Sequence, residues 1–368
     1  MAKKKELTLI DLFAGCGGLS EGFARAGFKP LSAVEIDHQI ANTLKKNHPQ
    51  TKVFSEDICN VESKKLLDGH EDVDIIVGGP PCQGFSMAGK RIRNSGIFLD
   101  DPRNQLFKEF YRIVSDLKPK IFLMENVPGI LNIHNGEIRE MILDLYRKLG
   151  YDTSFDVLLA SEYGVPQMRK RAYFIGNRLG LDSTLLFPTK THGNALKDVV
   201  TIEDAIFDLP FIHSNQGEFK SKYDKKPNST YQKLLRGNCT SLHNHISSNH
   251  DKDILSIMKM IPEGKGMKDL PEKYKTKSIH SGAYGRMLRS KPAYTITTRF
   301  DSPPVGRVTH PIANRTITAR EAARLQSFAD NFIFHGSKSS IGIQIGNAVP
   351  PLLAQAIAQN LKKYIRDE

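Results

Sequence analysis

A thiol and a carboxylate stand where they could do covalent chemistry. Cys82 lies in Gly78-Gly-Pro-Pro-Cys-Gln-Gly-Phe-Ser86, directly after the apolar run at residues 73–77. An aliphatic run closed by two glycines and two prolines reads as a buried strand ending in a stiff turn, because proline fixes φ and glycine relieves steric limits. That puts Cys82 at the C-terminal edge of a strand, where open α/β sheets bind ligands and a held thiol can be aimed at a substrate as a nucleophile. The competing reading is a small, inert, buried cysteine in a loop. Glu125-Asn-Val127 follows a second apolar run at residues 120–124 and reaches the same sheet edge. A helix cap or an ion-pair partner are the alternatives for that carboxylate.

The elements that must position these groups follow from hydrophobic patterning. An apolar strand at residues 7–13 runs into Ala14-Gly-Cys-Gly-Gly18, after which Leu19, Phe23 and Ala26 mark an amphipathic helix. Strand, glycine turn and helix let a ligand approach the backbone and meet helix N-terminal N–H groups. The spacing is not the Gly-x-Gly-x-x-Gly of dinucleotide binders, and the absence of a Gly-Lys-Ser/Thr sequence argues against a triphosphate. A second strand at residues 31–36 ends in Glu35-Ile36-Asp37, where an acidic residue commonly accepts hydrogen bonds from ribose hydroxyls. A helix follows at residues 38–46, and a third short strand ends near Asp57-Ile58. After the strand at 73–77 come a long loop, a helix at 104–117, the strand at 120–124 and further strands at 153–159 and 171–176. This alternation predicts an α/β fold built on a doubly wound, mostly parallel sheet.

With 368 residues the chain can bury a full core and divide into two domains, and 39% hydrophobic residues is ordinary for a soluble protein. The four cysteines, Cys16, Cys59, Cys82 and Cys239, show no Cys-x-x-Cys pair or metal-ligand spacing, so free thiols, a reducing compartment and no metal are expected. Glu6 and Asp11 interrupt the first apolar stretch, which excludes a signal-peptide core, and no apolar run approaches membrane-spanning length. A cytoplasmic protein without a membrane partner is expected. Charge is uneven: of the net +12, residues 1–180 carry +2 and residues 181–368 carry +10. A basic surface is the electrostatic footprint of a polyanion partner, with solvated lysines as the plainer alternative.

Six stretches, in order along nearly the whole chain, resemble the DNA (cytosine-5)-methyltransferases of bacterial restriction-modification systems: Asp11-Leu-Phe-Ala-Gly-Cys-Gly-Gly18, Gly79-Pro-Pro-Cys-Gln-Gly-Phe-Ser86, Glu125-Asn-Val127, Gln167-Met-Arg-Lys-Arg171, Arg320-Glu-Ala-Ala-Arg-Leu-Gln-Ser-Phe328 and Gly346-Asn-Ala-Val-Pro350. The resemblance implies methyl transfer from S-adenosyl-L-methionine, with S-adenosyl-L-homocysteine as product, to C5 of a flipped-out cytosine in a short duplex DNA site. Cytosine C5 is a poor nucleophile, so the family adds a thiolate to C6, the role implied for Cys82. Glu125 would donate or share a proton at N3. Arg169 would approach the cytosine carbonyl and the thiol, with Arg171 supporting that loop.

Cofactor contacts are implied in the same way. Phe13 is expected near the adenine, Gly15, Gly17 and Gly18 at the methionine part, Glu35 at the ribose, and Asp57 and Ile58 at the adenine, with Pro81, Leu106, Asn347, Ala348 and Val349 completing the pocket. Ile36 departs from the family pattern, in which many members place an aromatic residue there. The polar stretch 83–104, with Lys90, Arg91 and Arg93, would be the lid that closes over DNA.

The resemblance divides the chain into a catalytic and cofactor-binding domain at 1–185, a smaller, irregular target-recognition domain at 186–339, and a segment at 340–368 that returns to the first domain. Arg286, Arg289, Arg299 and Arg307 are candidate phosphate or guanine contacts with surface arginine as the alternative, and residues 294–299 read as a strand. A monomer is expected, together with a cognate restriction endonuclease acting at the same site. A tRNA-directed relative and a non-catalytic DNA-binding regulator are the other readings. The basic recognition region and the form of the cysteine loop weigh against the first, and the intact Cys82, Glu125 and Arg169 against the second.

Overall fold

Seven strands make one sheet: β1 (Leu7–Leu12), β2 (Phe28–Val34), β3 (Lys52–Phe54), β4 (Ile75–Gly78), β5 (Ile121–Asn126), β6 (Asp152–Leu159) and β7 (Lys170–Asn177). The computed structural model describes residues 6–81, 105–275 and 282–365. Strand order is β3-β2-β1-β4-β5-β7-β6. The pairs from β3 to β5 are parallel, and β7 is antiparallel to both β5 and β6. Every residue of β1 and β4 is buried, which is why these strands read as mainly apolar runs rather than alternations. The doubly wound α/β architecture expected from the sequence is the one observed.

Helices α1 (Gly18–Arg25), α2 (His38–Asn47), α3 (Gln105–Leu117) and α4 (Glu137–Lys148) follow β1, β2, β4 and β5. Asp37 starts α2 by accepting hydrogen bonds from the N–H groups of Gln39 and Ile40. In the core Phe122 stacks on Tyr146 with ring centroids 4.0 Å apart and meets Phe110 and Tyr151 edge-on. Gly176 admits that ring, since a Cβ there would lie 2.1 Å from Phe122. Likewise Gly78 lets β4 press on β1, because a Cβ would fall 2.3 Å from the Leu12 carbonyl oxygen.

By packing the chain forms two compact units, Met1–Leu159 with Lys170–Thr189 and Leu353–Glu368, and Ala160–Arg169 with Lys190–Leu352. The C-terminal helix Pro351–Ile365 joins the first unit, where Asn360 donates to the carbonyls of Leu185 and Phe187 and Lys362 to that of Ala26. Residues 340–352 pack within the second unit.

The second unit carries the hairpin β8 (Gly217–Lys222) and β9 (Ser241–Ile246), and helices α5 (Ile202–Ile206), α6 (Thr230–Arg236), α7 (Lys252–Met260), α8 (Ala319–Leu325) and α9 (Lys338–Asn347). Capping boxes open α5, α6 and α8, with Thr201 and Asp204, Ser229 and Gln232, and Thr318 and Glu321 as the reciprocal pairs. Residues 294–299 are not the expected strand. The Ile296 N–H is taken by the side chain of Gln167, and only Ala293 forms a bridge, with Gln167. The third strand also stops earlier than expected, at Phe54, and Asp57 instead caps a 3₁₀ turn at Ile58–Asn60.

Candidate active site

Two strand ends meet at the C-terminal edge of the sheet in the first unit. β4 and β5 run parallel with Gly78 opposite Met124, so Gly79 and Pro80 lie beside Glu125 and Asn126. The Asn126 amide donates to the Pro80 carbonyl oxygen at 2.9 Å, fixing the turn that leads into residue 82. Gly79 leaves room for the carboxylate, as a Cβ there would lie 3.2 Å from Glu125 Oε2. From β7, Arg171 places Nε 3.0 Å from Glu125 Oε1. The two side chains keep 17% and 13% of their surface exposed, so the pair is shielded yet reachable. Cys82 and the stretch 83–104 lie outside the described residues.

The guanidinium 3.0 Å from Glu125 is that of Arg171, the arginine expected to support the loop. Arg169 is 1% exposed and belongs to the second unit. Its Nη1 donates to the carbonyl oxygens of Ile296 and Gly346 at 3.4 and 3.0 Å, and its Nη2 to that of Asn347 at 3.2 Å. The spacing Arg-Lys-Arg could not separate the two arginines, because their partners lie far from them in the sequence.

The glycine turn after β1 has the backbone its sequence requires. Gly15 and Gly17 have φ of 56° and 94°, and Gly17 is the residue that caps α1. Phe13 adopts φ 57°, uncommon for a side chain of this size. Glu35 crosses to this turn, with Oε2 accepting the Gly15 N–H and Oε1 the Asp37 N–H, both at 2.9 Å. Burial pushes its carboxyl above the ordinary range against those two hydrogen bonds. A carboxylate oxygen holding one N–H retains a lone pair, so Glu35 can still accept from a ligand hydroxyl. Nearby in sequence Ile36 is 63% exposed, and Ile58 is buried. Asp57 Oδ1 accepts the Cys59 N–H. Pro81 is exposed, and Leu106 is half-buried against the core. Asn347 is exposed, Ala348 half-buried and Val349 buried, all within the second unit.

Asp11 is the charged residue of the mainly apolar strand β1. It is buried, accepts both the Ser20 hydroxyl at 2.6 Å and the Ser20 N–H at 3.1 Å, and has its pKa pushed up to about 7, chiefly by burial.

The recognition arginines sort by what they already hold. Arg286 is buried and donates to the carbonyls of Ile261, His310, Ala313 and Met258 and to the Asn314 side chain, which makes it a structural brace and not the DNA contact considered for it. Arg289 clasps Glu263 with two nitrogens and holds that carboxyl below its usual range. Arg307 donates to the Gly264 carbonyl and lies 5.1 Å over the Tyr294 ring. Arg299 is exposed, with only a loose approach to Asp301 at 3.7 Å. Around α8 a buried ionic network was not foreseen: Arg315 forks onto Glu321, and Arg324 joins Asp208 to Asp330. Among the described residues no group of three or more His, Cys, Asp or Glu is arranged to hold a metal ion.

Comparison with known proteins shows which family the chain resembles. The family model for C-5 cytosine-specific DNA methylases matches residues 7–363. The type II methyltransferase M1.HphI of Haemophilus parahaemolyticus is 40% identical over 98% of this chain and 88% of its own length. The type II methyltransferase M.DdeI of Desulfomicrobium norvegicum is 36% identical over 98% and 90%. A solved structure of a prophage-encoded E. coli protein, described as a candidate DNA modification methyltransferase, superimposes with a TM-score of 0.78 at 32% identity, covering 99% of this chain and 100% of that one.

Proposed function

The chain belongs to the C-5 cytosine-specific DNA methylase family, and from that premise we propose how its residues divide the reaction. The protein methylates cytosine C5 in DNA, and S-adenosyl-L-methionine, when bound, supplies the methyl group from its sulfonium. Cys82 attacks C6 as thiolate, forming the S–C6 bond and pushing the ring electron pair towards C5. Glu125 meets the charge that develops at N3 by sharing a proton there, and Arg171, already 3.0 Å from that carboxylate, holds its orientation and reaches the cytosine carbonyl. After C5 is methylated its proton leaves to solvent, the C5–C6 double bond re-forms and the thiolate departs. The single observation carrying this assignment is the shielded Glu125–Arg171 pair beside the Gly78–Pro81 turn that runs straight into Cys82.

The residues at the glycine turn fit the cofactor. Gly15, Gly17 and Gly18 bring backbone close to the methionine part, and Glu35 has the free lone pairs for ribose hydroxyls. Phe13, Ile36, Asp57, Ile58, Pro81 and Leu106 are assigned to the adenine and its surroundings, and Asn347, Ala348 and Val349 to the same ligand on the strength of the resemblance. The substrate is duplex DNA carrying a short specific site. Residues 186–339 read the site while 1–185 and 340–368 do the chemistry. The enzyme works as a monomer in the bacterial cytoplasm and protects host DNA from an endonuclease cutting the same sequence.

The test is to incubate plasmid DNA with the protein and S-adenosyl-L-methionine and to map 5-methylcytosine by sequencing. Cys82→Ser should bind cofactor and DNA but transfer no methyl group, and a 5-fluorocytosine duplex should trap a covalent complex with the wild type only. Appreciable turnover by the serine variant would remove Cys82 from its role.

A further inference from the structure

Within the second unit, three carbonyls from two distant chain segments converge on one buried guanidinium. Arg169 holds the carbonyls of Ile296, Gly346 and Asn347. Its neighbour Gln167 accepts the Ile296 N–H at 2.9 Å and donates to Leu325 O and to Gln326 Oε1. Gln326 in turn donates to the Ile345 carbonyl at 2.6 Å. From the far side, the backbone at residues 297–298 lies directly on α9: a Cβ at Gly342 would fall 2.5 Å from Thr298 O, and one at Gly346 would fall 2.4 Å from Thr298 N. The end of α9 and the loop that follows are thus gripped between a backbone strap and a side-chain fork.

We infer that Arg169 is a positioning residue for the cofactor, setting the Gly346–Asn347 backbone against the strap at residues 296–298, and that it does not touch cytosine. The inference rests on the proposed assignment of Asn347 and Ala348 to S-adenosyl-L-methionine. A planar fork suits the task because it can serve three carbonyls in fixed directions, which an ammonium on a flexible stem cannot. The gripped loop has no ladder or helix hydrogen bonds of its own at residues 348–350, so its shape depends on such outside donors.

Full-length Arg169→Met, Arg169→Lys and Gly346→Ala separate this role from a catalytic one. Two quantities are read: the dissociation constant for S-adenosyl-L-homocysteine by calorimetry, and the yield of covalent complex on a 5-fluorocytosine duplex carrying the enzyme's mapped site at saturating S-adenosyl-L-methionine. Weakening of cofactor binding by about 10-fold or more, the equivalent of one charge-assisted hydrogen bond, is expected with the trapped yield restored at saturation. Trapping lost with cofactor affinity intact would return Arg169 to the cytosine, and unchanged behaviour in both assays would equally overturn the inference. If Arg169→Met does not fold, Arg169→Lys and Gly346→Ala, which loosens the same loop from its opposite side, carry the decision. A wild type that neither binds the cofactor nor traps DNA would instead reject the proposed function.

Discussion

At the end of β5 one arginine faces one carboxylate with part of each side chain exposed, whereas around α8 Arg315, Arg320 and Arg324 are sealed from solvent with Glu321, Asp208 and Asp330. The chemistry of the groups is the same, but their satisfaction differs. Arg324 uses Nε, Nη1 and Nη2 on two carboxylates and the Ala205 carbonyl, leaving little for a ligand. Against strong desolvation, Arg324 holds the Asp330 carboxyl, and Arg315 the Glu321 carboxyl, below the usual range. Glu125 and Arg171 approach to 3.0 Å at a strand end, and each keeps part of its surface exposed. A fully buried ion-pair network builds architecture, whereas a partly exposed pair at a sheet edge leaves surface that a ligand can reach.

That contrast can be broken most severely at Glu125. Glu125→Gln should lower kcat by roughly 10²–10⁴-fold, the usual loss for a general acid or base, while leaving the melting temperature nearly unchanged. The opposite pattern is expected from Arg324→Met. Removing one partner of a buried pair leaves charge uncompensated and should destabilise by about 3–5 kcal/mol, visible as a lowered denaturant midpoint. If the Arg324 variant kept wild-type stability, the distinction drawn here would fail.

The two units should also respond oppositely to pH. Asp11, in the first unit, has a folded pKa raised from 3.8 to about 7. Its contribution to stability is complete below pH 4 and is lost as pH rises through about 7, because the unfolded chain ionises first. His310, in the second unit, is buried beside Glu321 and Arg315 and has its pKa lowered from 6.5 to about 4. Its contribution is complete above pH 6.5 and is lost as pH falls towards 4, since the unfolded imidazole takes the proton first. Thermal melts between pH 4.5 and 7.5 should therefore show Asp11→Asn flattening the loss at the alkaline end and His310→Gln flattening the loss at the acid end.

The smallest effect concerns the cofactor turn. Ile36→Trp should tighten S-adenosyl-L-homocysteine binding by about 0.5–1.5 kcal/mol through added ring contact, measured by calorimetry. Weaker binding would mean that Ile36 is not beside the adenine.

Much of this was legible in the sequence. The buried parallel strands announce themselves as apolar runs, and the glycine turn and the Glu125 strand end follow from them. The different partners of Arg169 and Arg171 did not follow, since two arginines on one short motif carry identical local signals and differ only in partners more than a hundred positions away or on another strand. The ionic network of α8 was hidden for the same reason. Arg320, Glu321 and Arg324 read as an ordinary polar helix face until Asp208 and Asp330 are brought to it by the fold. The extended stretch at residues 294–299 has strand composition, but its hydrogen bonds go to a side chain, a choice that β-propensity does not encode.

The grip on Arg169 has a consequence for how the chain is made. Its carbonyl partners at Gly346 and Asn347 lie 177 and 178 positions downstream. At roughly 5–20 residues per second, ribosomal synthesis delivers them on the order of 10–30 seconds after Arg169 itself. All seven strands of the sheet have been synthesised by Asn177, so β6 and β7 can pair early, yet two of the carbonyls that Arg169 holds arrive only near the end of synthesis. A ribosome stalled before residue 346 would therefore carry a nascent chain with every sheet strand made and Arg169 still lacking two of its three carbonyl partners.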